Sequence, residues 1–363
     1  MKFQPEVIYI EQGADDYTLT REVLRRFSDA PVLKNVDAQA VMDEINKTAT
    51  DTFGTAKKRL LLSRFKGSFL KKCPGISSGM VCCNYYIVNL MTNCIYDCSY
   101  CVLQDFLENN PLLTAFVNVE DILGELDAIF EANPDRFFRV GTGEAADSLA
   151  MDDVIPHSEL LVPFFNKKKN AVLELKTKSA CIENLLRQDD ATNVIVSWSV
   201  NPQEIIDQEE KLTAGLEERL DAAFRCQSKG YRIGFHFDPV IIFPGWECAY
   251  RDLVDLLFKR IQPEKIEWVS LGSFRYRPNL KKIMKERHPD TRLFDSEHVV
   301  SEDGKFRYLR PMRNRAYAVI QGYLKEYSGS LPVYFCMETK EIWEDVTGKL
   351  PRSDKKLDQF FDL

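Results

Sequence analysis

The chain of 363 residues is long enough for one large core, or for a core with a small appendage. Its 48 Lys and Arg against 55 Asp and Glu leave a net charge of -7, which excludes an all-over basic nucleic-acid coat while permitting one local basic groove. With 45% hydrophobic and 28% charged residues it reads as a globule rather than a disordered chain.

Residues 7–10 form a short strand candidate, and residues 18–27 read as a helix with Leu19, Val23, Leu24 and Phe27 on one side. Residues 55–72 then carry Lys57, Lys58, Arg59, Arg64, Lys66, Lys71 and Lys72 with no acid among them. That run is either a solvated face or loop flanking the core, or a contact for phosphates or another polyanion. From about residue 84 strands and helices alternate. Strands rich in Val, Ile, Phe and Tyr are expected at 85–90, 137–140, 171–176, 193–200, 232–242 and 265–271. Helices are expected at 118–131, 214–229 (closed by Gly230), 247–260 and 278–287. Six such units predict an α/β fold: a partial parallel (β/α)6 barrel with an N-terminal α/β appendage, functional groups gathering where strands end. The expected divisions are 1–80, 81–325 and a docked C-terminal extension, 326–363. No apolar run approaches the roughly 18–20 residues that cross a bilayer. Met1 to Glu6 lack the marks of a signal peptide. Ten unevenly spaced cysteines do not make a small disulfide scaffold, so the reducing cytoplasm is the expected location.

Three of those cysteines, Cys94, Cys98 and Cys101, fall within eight residues, directly after the first barrel strand. Thiolates are soft ligands for zinc or iron–sulfur, and one loop brings three together without a large closure cost. A structural zinc wants a fourth ligand, yet His157, His236, His288 and His298 form no pair. Three ligands without a fourth suit a cubane with one iron left open. The C-x-x-x-C-x-x-C spacing, with the aromatic Tyr100 before the last cysteine, resembles the signature of radical S-adenosylmethionine (SAM) enzymes. The resemblance implies a [4Fe-4S] cluster on Cys94, Cys98 and Cys101, S-adenosyl-L-methionine on its open iron, and hydrogen abstraction by a 5'-deoxyadenosyl radical. It also implies a small electron-donor protein such as flavodoxin or ferredoxin.

Around this motif, Gly143-Glu144 ends the second strand and resembles the segment that holds the methionyl amino group; an ordinary turn is the alternative. Lys178 closes the third strand, where its charge suits the cofactor carboxylate. Ser199 and Asn201 close the fourth, within reach of ribose hydroxyls or the methionyl group. His236 on the fifth faces either substrate or the outer layer.

A closer resemblance is to the spore photoproduct lyase family, whose members split a methylene-bridged thymine dimer. It runs from Val7 to about residue 325. It rests on Asn84 to Leu90, Thr92-Asn93-Cys94, Asp97 to Cys101 with Gln104, Thr177-Lys178, and Ser199-Val200-Asn201. Further stretches are Leu216 to Arg219 with Ala222, Gly230-Tyr231, Pro239, Gly245-Trp246-Glu247 with Tyr250-Arg251, and Arg275 to Pro289. The resemblance puts Lys178 and Ser199 on cofactor-binding positions. It also implies a nucleic-acid base or lesion as substrate, with residues 55–72, Arg275, Arg277, Lys281 and Lys282 against phosphates. Two departures stand out. Glu144 occupies the place of the cysteine that returns a hydrogen atom to the product, and Val102 replaces a tyrosine that helps relay it. Tyr100, its partner, remains. Cys82, Cys83 and Cys181 are other sources of a thiol. Tyr100, Glu144 and His236 are therefore the catalytic candidates. The alternatives are a small metabolite or peptide as substrate, or a non-catalytic iron–sulfur or zinc module. Residues 334–338 and Trp343 lie beyond the resemblance.

Overall fold

The computed structural model describes residues 3–75, 79–81 and 83–349. Seven strands build the main sheet: β1 (Tyr85–Val88), β2 (Phe138–Gly141), β3 (Ala171–Thr177), β4 (Val194–Ser199), β5 (Arg232–Val240), β6 (Ile266–Ser273) and β7 (Val333–Phe335). Each pairs in parallel with the next, and Leu70–Lys72 runs antiparallel along the outer edge of β1. Helices Val119–Ala132, His157–Asn166, Leu216–Lys229, Trp246–Phe258 and Arg310–Tyr327 fill crossovers between these strands. Their apolar stripes, such as Ile122, Leu126 and Phe130 of the first, join one core with the sheet. The half-barrel expected from the alternation of strands and helices is the observed fold.

Two expected boundaries change. The C-terminal region is no docked extension, because its apolar patch supplies β7, hydrogen-bonded to β6, and Ile342 and Trp343 enter the main core. A three-residue strand is too short to show periodicity, but an uncovered edge of β6 gives it a partner. At the other end, the N-terminal sheet is not confined to residues 1–80. Its order is 32–36, 7–11, 59–63, 113–116, 91–92, so its last two strands come from beyond that limit. Leu60, Leu62, Leu113 and Ala115 share one buried cluster, which is why the layers cannot be cut apart at residue 80.

The 55–72 run is no continuous phosphate-binding face either. Arg59–Ser63 is a buried strand, and Lys57 turns inward to the Tyr96 carbonyl and the Asp97 carboxylate, 3.5 Å away. Lys58, Arg59 and Lys66 pair with Glu6, Glu44 and Glu11.

The barrel interior is tied by one carboxylate. Glu174, on β3, accepts hydrogen bonds from Arg139 of β2 (2.9 Å), Ser197 of β4 (2.6 Å), His236 of β5 (2.8 Å) and Trp268 of β6 (3.0 Å). The Tyr85 hydroxyl of β1 donates to it as well, and Arg139 reaches Tyr334 of β7 at 3.1 Å. Burial alone would raise the Glu174 pKa, but the charge of Arg139 and the bonds from His236 and Ser197 hold it well below the ordinary carboxylate range. Gly141 and Gly234 make room for this belt: an added Cβ at Gly141 would collide with the Tyr85 hydroxyl, and one at Gly234 would lie 2.8 Å from the Trp268 indole nitrogen.

His236 is consequently uncharged in the folded chain. Burial and the nearby Lys176 push its pKa down to about 4, against an ordinary 6.5. The unfolded chain binds the proton first, so the folded state loses stability as pH falls from 6.5 toward 4. The full difference is worth about 3 kcal/mol at this buried site. Urea denaturation of the metal-free protein at pH 7 and pH 4 should show that loss. His236→Gln should shrink it while the buried His157, also lowered to about 4, contributes the same direction of change. An unchanged difference in the variant would contradict the assignment.

Candidate active site

The Cys94–Cys101 loop is suspended between the two sheets. On one side it leaves strand 91–92 and re-enters at 113–116; on the other, Asp97–Cys98 pairs antiparallel with Glu210–Lys211, which follow β4. Asn93 starts the loop in the left-handed region (φ 67°), where its side chain donates to the Pro111 carbonyl at 2.6 Å and accepts from Cys94 N–H at 2.8 Å. Gln104 donates to the Ser99 carbonyl (2.8 Å), and the Ser99 hydroxyl donates to Glu209. Arg287 fastens the outside, bonding Gln104, Asp97 and Asp51 at 2.5–3.0 Å. A loop held at so many points has little freedom to place its thiols elsewhere.

Those thiols feel one another. Burial pushes Cys94 up to about 12 and Cys98 further still, and the neighbouring cysteines add to both shifts. Metal binding must therefore displace protons. Among the described residues, no three His, Cys, Asp or Glu side chains converge closely enough to hold a single ion. Three soft thiolate donors on one loop suit an iron–sulfur cluster.

Behind the loop lies a network that centres on Glu210, a residue the sequence reading passed over. Tyr100 donates its hydroxyl to Glu210, Asn201 donates to it at 2.9 Å, and the fully buried Arg219 pairs with it at 2.6 Å. Lys178 sits 4.9 Å above the Tyr100 ring. Burial opposes the Glu210 charge, but Lys178 and Arg219 outweigh it and hold the carboxyl at about 2. Burial likewise opposes the Lys178 charge, and Glu210 outweighs it in turn, so its pKa is raised. Tyr250 donates its hydroxyl to the side-chain Oδ1 of Asn201 at 2.9 Å, and Arg219 donates to the Ser199 backbone carbonyl at 2.9 Å. Three of the expected residues, Tyr100, Lys178 and Asn201, thus share one carboxylate. In sequence Glu210 belongs to a polar run, Gln208-Glu209-Glu210-Lys211, that reads as a solvated helix end.

In front of the loop a cavity of about 400 Å³ occupies the barrel mouth. Tyr100, Cys101, Gly143, Glu144, Lys178 and His236 all line it; Ser199 and Asn201 do not. Gly143 sits close to its neighbours: an added Cβ would stand 3.1 Å from the Lys176 carbonyl oxygen. Burial raises the Glu144 pKa, partly offset by Asn89 and Lys71. His236 faces inward, but both ring nitrogens are engaged, by Ser270 at 2.5 Å and Glu174 at 2.8 Å, so it forms wall rather than a free acid or base. Of the expected cationic residues, Arg275 is committed to Asp238 (2.9 Å), while half-exposed Arg277 pairs with Asp105 (3.0 Å) at the rim. Cys73, Cys83 and Cys336 also line the cavity. Cys181 lies instead in an 820 Å³ cleft behind Ile95, Tyr96 and Asp97, and Cys82 falls outside the described residues.

A parallel half-barrel with a three-thiol loop after its first strand, and a lysine and a glycine–acid turn beside that loop, defines a radical SAM protein. The family model for spore photoproduct lyase matches residues 3–325, and the chain belongs to that family. Spore photoproduct lyase of Bacillus subtilis (strain 168) is 24% identical over 295 residues, spanning 80% of this chain and 84% of the relative. That of Clostridium acetobutylicum is 23% identical over 303 residues, spanning 83% and 88%. Among solved structures, spore photoproduct lyase complexed with dinucleoside spore photoproduct superposes with a TM-score of 0.81 at 21% identity, covering 92% of this chain and all of that one. A mutant with bound AdoMet and the dinucleoside gives 0.80 at 20%, covering 93% of this chain and all of that one. The fold is shared over 92–93% of the chain, and β7 lies past the end of the family match.

Removing Glu210 tests the clamp. Glu210→Ala strands the buried Arg219 and should cost about 3–5 kcal/mol of folding stability, read by chemical denaturation. Glu210→Gln, which keeps shape and hydrogen bonding to Tyr100, should cost less. Equal and small losses in both would show that the carboxylate does not hold this region.

Proposed function

We propose that this chain is a radical SAM enzyme that acts on a nucleic-acid lesion of the bridged-thymine class, with a [4Fe-4S] cluster on Cys94, Cys98 and Cys101. The observation that carries the reading is a firmly held three-thiol loop whose Tyr100 and Cys101 line a cavity at the barrel mouth, in a chain of the spore photoproduct lyase family. With S-adenosylmethionine on its open iron, the cluster would supply one-electron cleavage and a hydrogen-abstracting radical.

The protein's own part is positional and electrostatic. Lys178, kept charged by Glu210, offers an ammonium for the cofactor carboxylate beside the cluster. Tyr100, with its hydroxyl committed to Glu210, presents a fixed ring face. Gly143 lets the cofactor approach the end of β2, and the part-buried Glu144 presents its carboxyl there. Tyr85, Phe106, Phe274, Tyr276 and Tyr334 give the cavity aromatic faces for extruded bases, which a peptide or small polar metabolite would not need. The half-exposed Arg277 stands at its rim for backbone phosphate. The electron would come from a small donor protein such as flavodoxin or ferredoxin, and the working compartment is the cytoplasm. Among the described residues no helix is long and apolar enough to cross a membrane.

Anaerobic reconstitution should give about four irons per chain. On reduction the protein should cleave S-adenosylmethionine, and deuterium from labelled dinucleoside spore photoproduct should appear in 5'-deoxyadenosine. Cys94→Ala, Cys98→Ala and Cys101→Ala should each abolish both. A stable zinc adduct without cleavage would overturn the reading in favour of a structural module. Deuterium transfer from a metabolite extract but not from the dinucleoside would overturn the lesion substrate.

A further inference from the structure

A carbon radical made in this cavity has to be quenched inside it by a group that can yield a hydrogen atom. The Tyr100 hydroxyl is bound to Glu210, the Tyr85 hydroxyl to Glu174, and both His236 nitrogens are engaged. The O–H bond of Glu144 is far too strong to yield a hydrogen atom. A thiol S–H bond is weak and reacts fast with carbon radicals, and in the reading above Cys101 is taken by the cluster. The lining still offers Cys73, Cys83 and Cys336.

Cys336 is the one placed by the barrel itself. It follows β7 directly, so it stands at the strand-end mouth where the other functional groups gather. Its N–H donates to the Leu271 carbonyl of β6 at 2.8 Å, and Met337 then turns the chain through the left-handed region (φ 55°). The next residue, Glu338, is buried. Its carboxylate accepts from Tyr317 at 2.6 Å and pairs with Arg313 at 3.2 Å, while its carbonyl accepts from Val81 N–H at 2.9 Å. Together with the Met80–Thr339 bridge, these contacts draw the segment after β7 against the one before β1 and seal the open side of the half-barrel. The seal fixes the Cys336 sulfur inside, 4.0 Å from Arg275, whose guanidinium is held by Asp238. Burial raises the Cys336 pKa, so the sulfur carries its hydrogen.

Resting on the radical SAM reading above, we propose that Cys336 is the hydrogen-atom donor that closes the reaction. Its S–H bond breaks homolytically, the hydrogen forms a C–H bond on the substrate-derived carbon radical, and the unpaired electron remains on Sγ. One electron from the donor protein and one solvent proton restore the thiol. No oxidant is required, and Val102 in place of a phenol agrees with an electron rather than a hydrogen atom closing the cycle. The place that holds Glu144 is thereby relieved of any thiol, and the donor reaches the cavity from the opposite edge of the sheet.

The test uses the reconstituted full chain with dinucleoside spore photoproduct in D2O. Thiol hydrogens exchange with solvent, so the wild-type product should gain one solvent deuterium. Cys336→Ala should still place substrate hydrogen in 5'-deoxyadenosine, while deuterated product falls at least tenfold; Cys336→Ser should behave alike and serves as the control for folding. Adding Glu144→Cys to Cys336→Ala should restore deuterated product, which repair of a merely structural defect would not do. Independently of turnover, iodoacetamide labelling of Cys336 in the cluster-free protein, mapped by mass spectrometry, should slow when the dinucleoside is bound. Wild-type solvent deuterium in Cys336→Ala and Cys336→Ser, or labelling indifferent to the dinucleoside, would overturn the donor assignment alone. Absence of any transfer from substrate into 5'-deoxyadenosine in the wild type would overturn the function beneath it.

Discussion

A single buried carboxylate organises this molecule. Glu174 receives groups from β1, β2, β4, β5 and β6, and through Arg139 it touches β7 as well. An unpaired charge there would be costly, so the strands that satisfy it are obliged to curl around a common centre. The sheet becomes an arc rather than an open plane, and its concave side becomes a cavity. His236, Lys176 and Arg139 are positioned as consequences of that closure.

The cluster loop obeys a second constraint of the same kind. It has almost no secondary structure of its own, and its shape comes from what grips it: two strands of the N-terminal sheet, the Glu209–Glu210 segment, and Arg287. The N-terminal layer therefore helps to set the shape of that loop. Lys57 illustrates the point, since its charge is spent on Tyr96 and Asp97 within the loop.

Much of this was legible in sequence where local pattern coincides with burial. The strands β2 to β6 are apolar runs bounded by turns, and the three thiols advertise themselves by spacing. Identical residue types with opposite fates were not legible: Lys57 and Lys66 sit in one basic run, yet their side chains are 8% and 77% exposed. Buried acids were hardest. Glu210 has the surroundings of a surface residue in the chain, and only the return of its segment beside Cys98 makes it central. Glu174 had a readable sign, because Val172, Glu174 and Lys176 alternate onto one face of β3, and an acid midway along a strand buried on both sides needs a partner. What paired it lay on five other strands, beyond any local window.

The account depends on a cluster with one corner left for the cofactor. Mössbauer spectroscopy of protein reconstituted with iron-57, with and without S-adenosylmethionine, addresses that directly. One iron should change its isomer shift on addition while the others stay as they were. Spectra that do not respond to the cofactor, or iron that never assembles into a cubane, would contradict it.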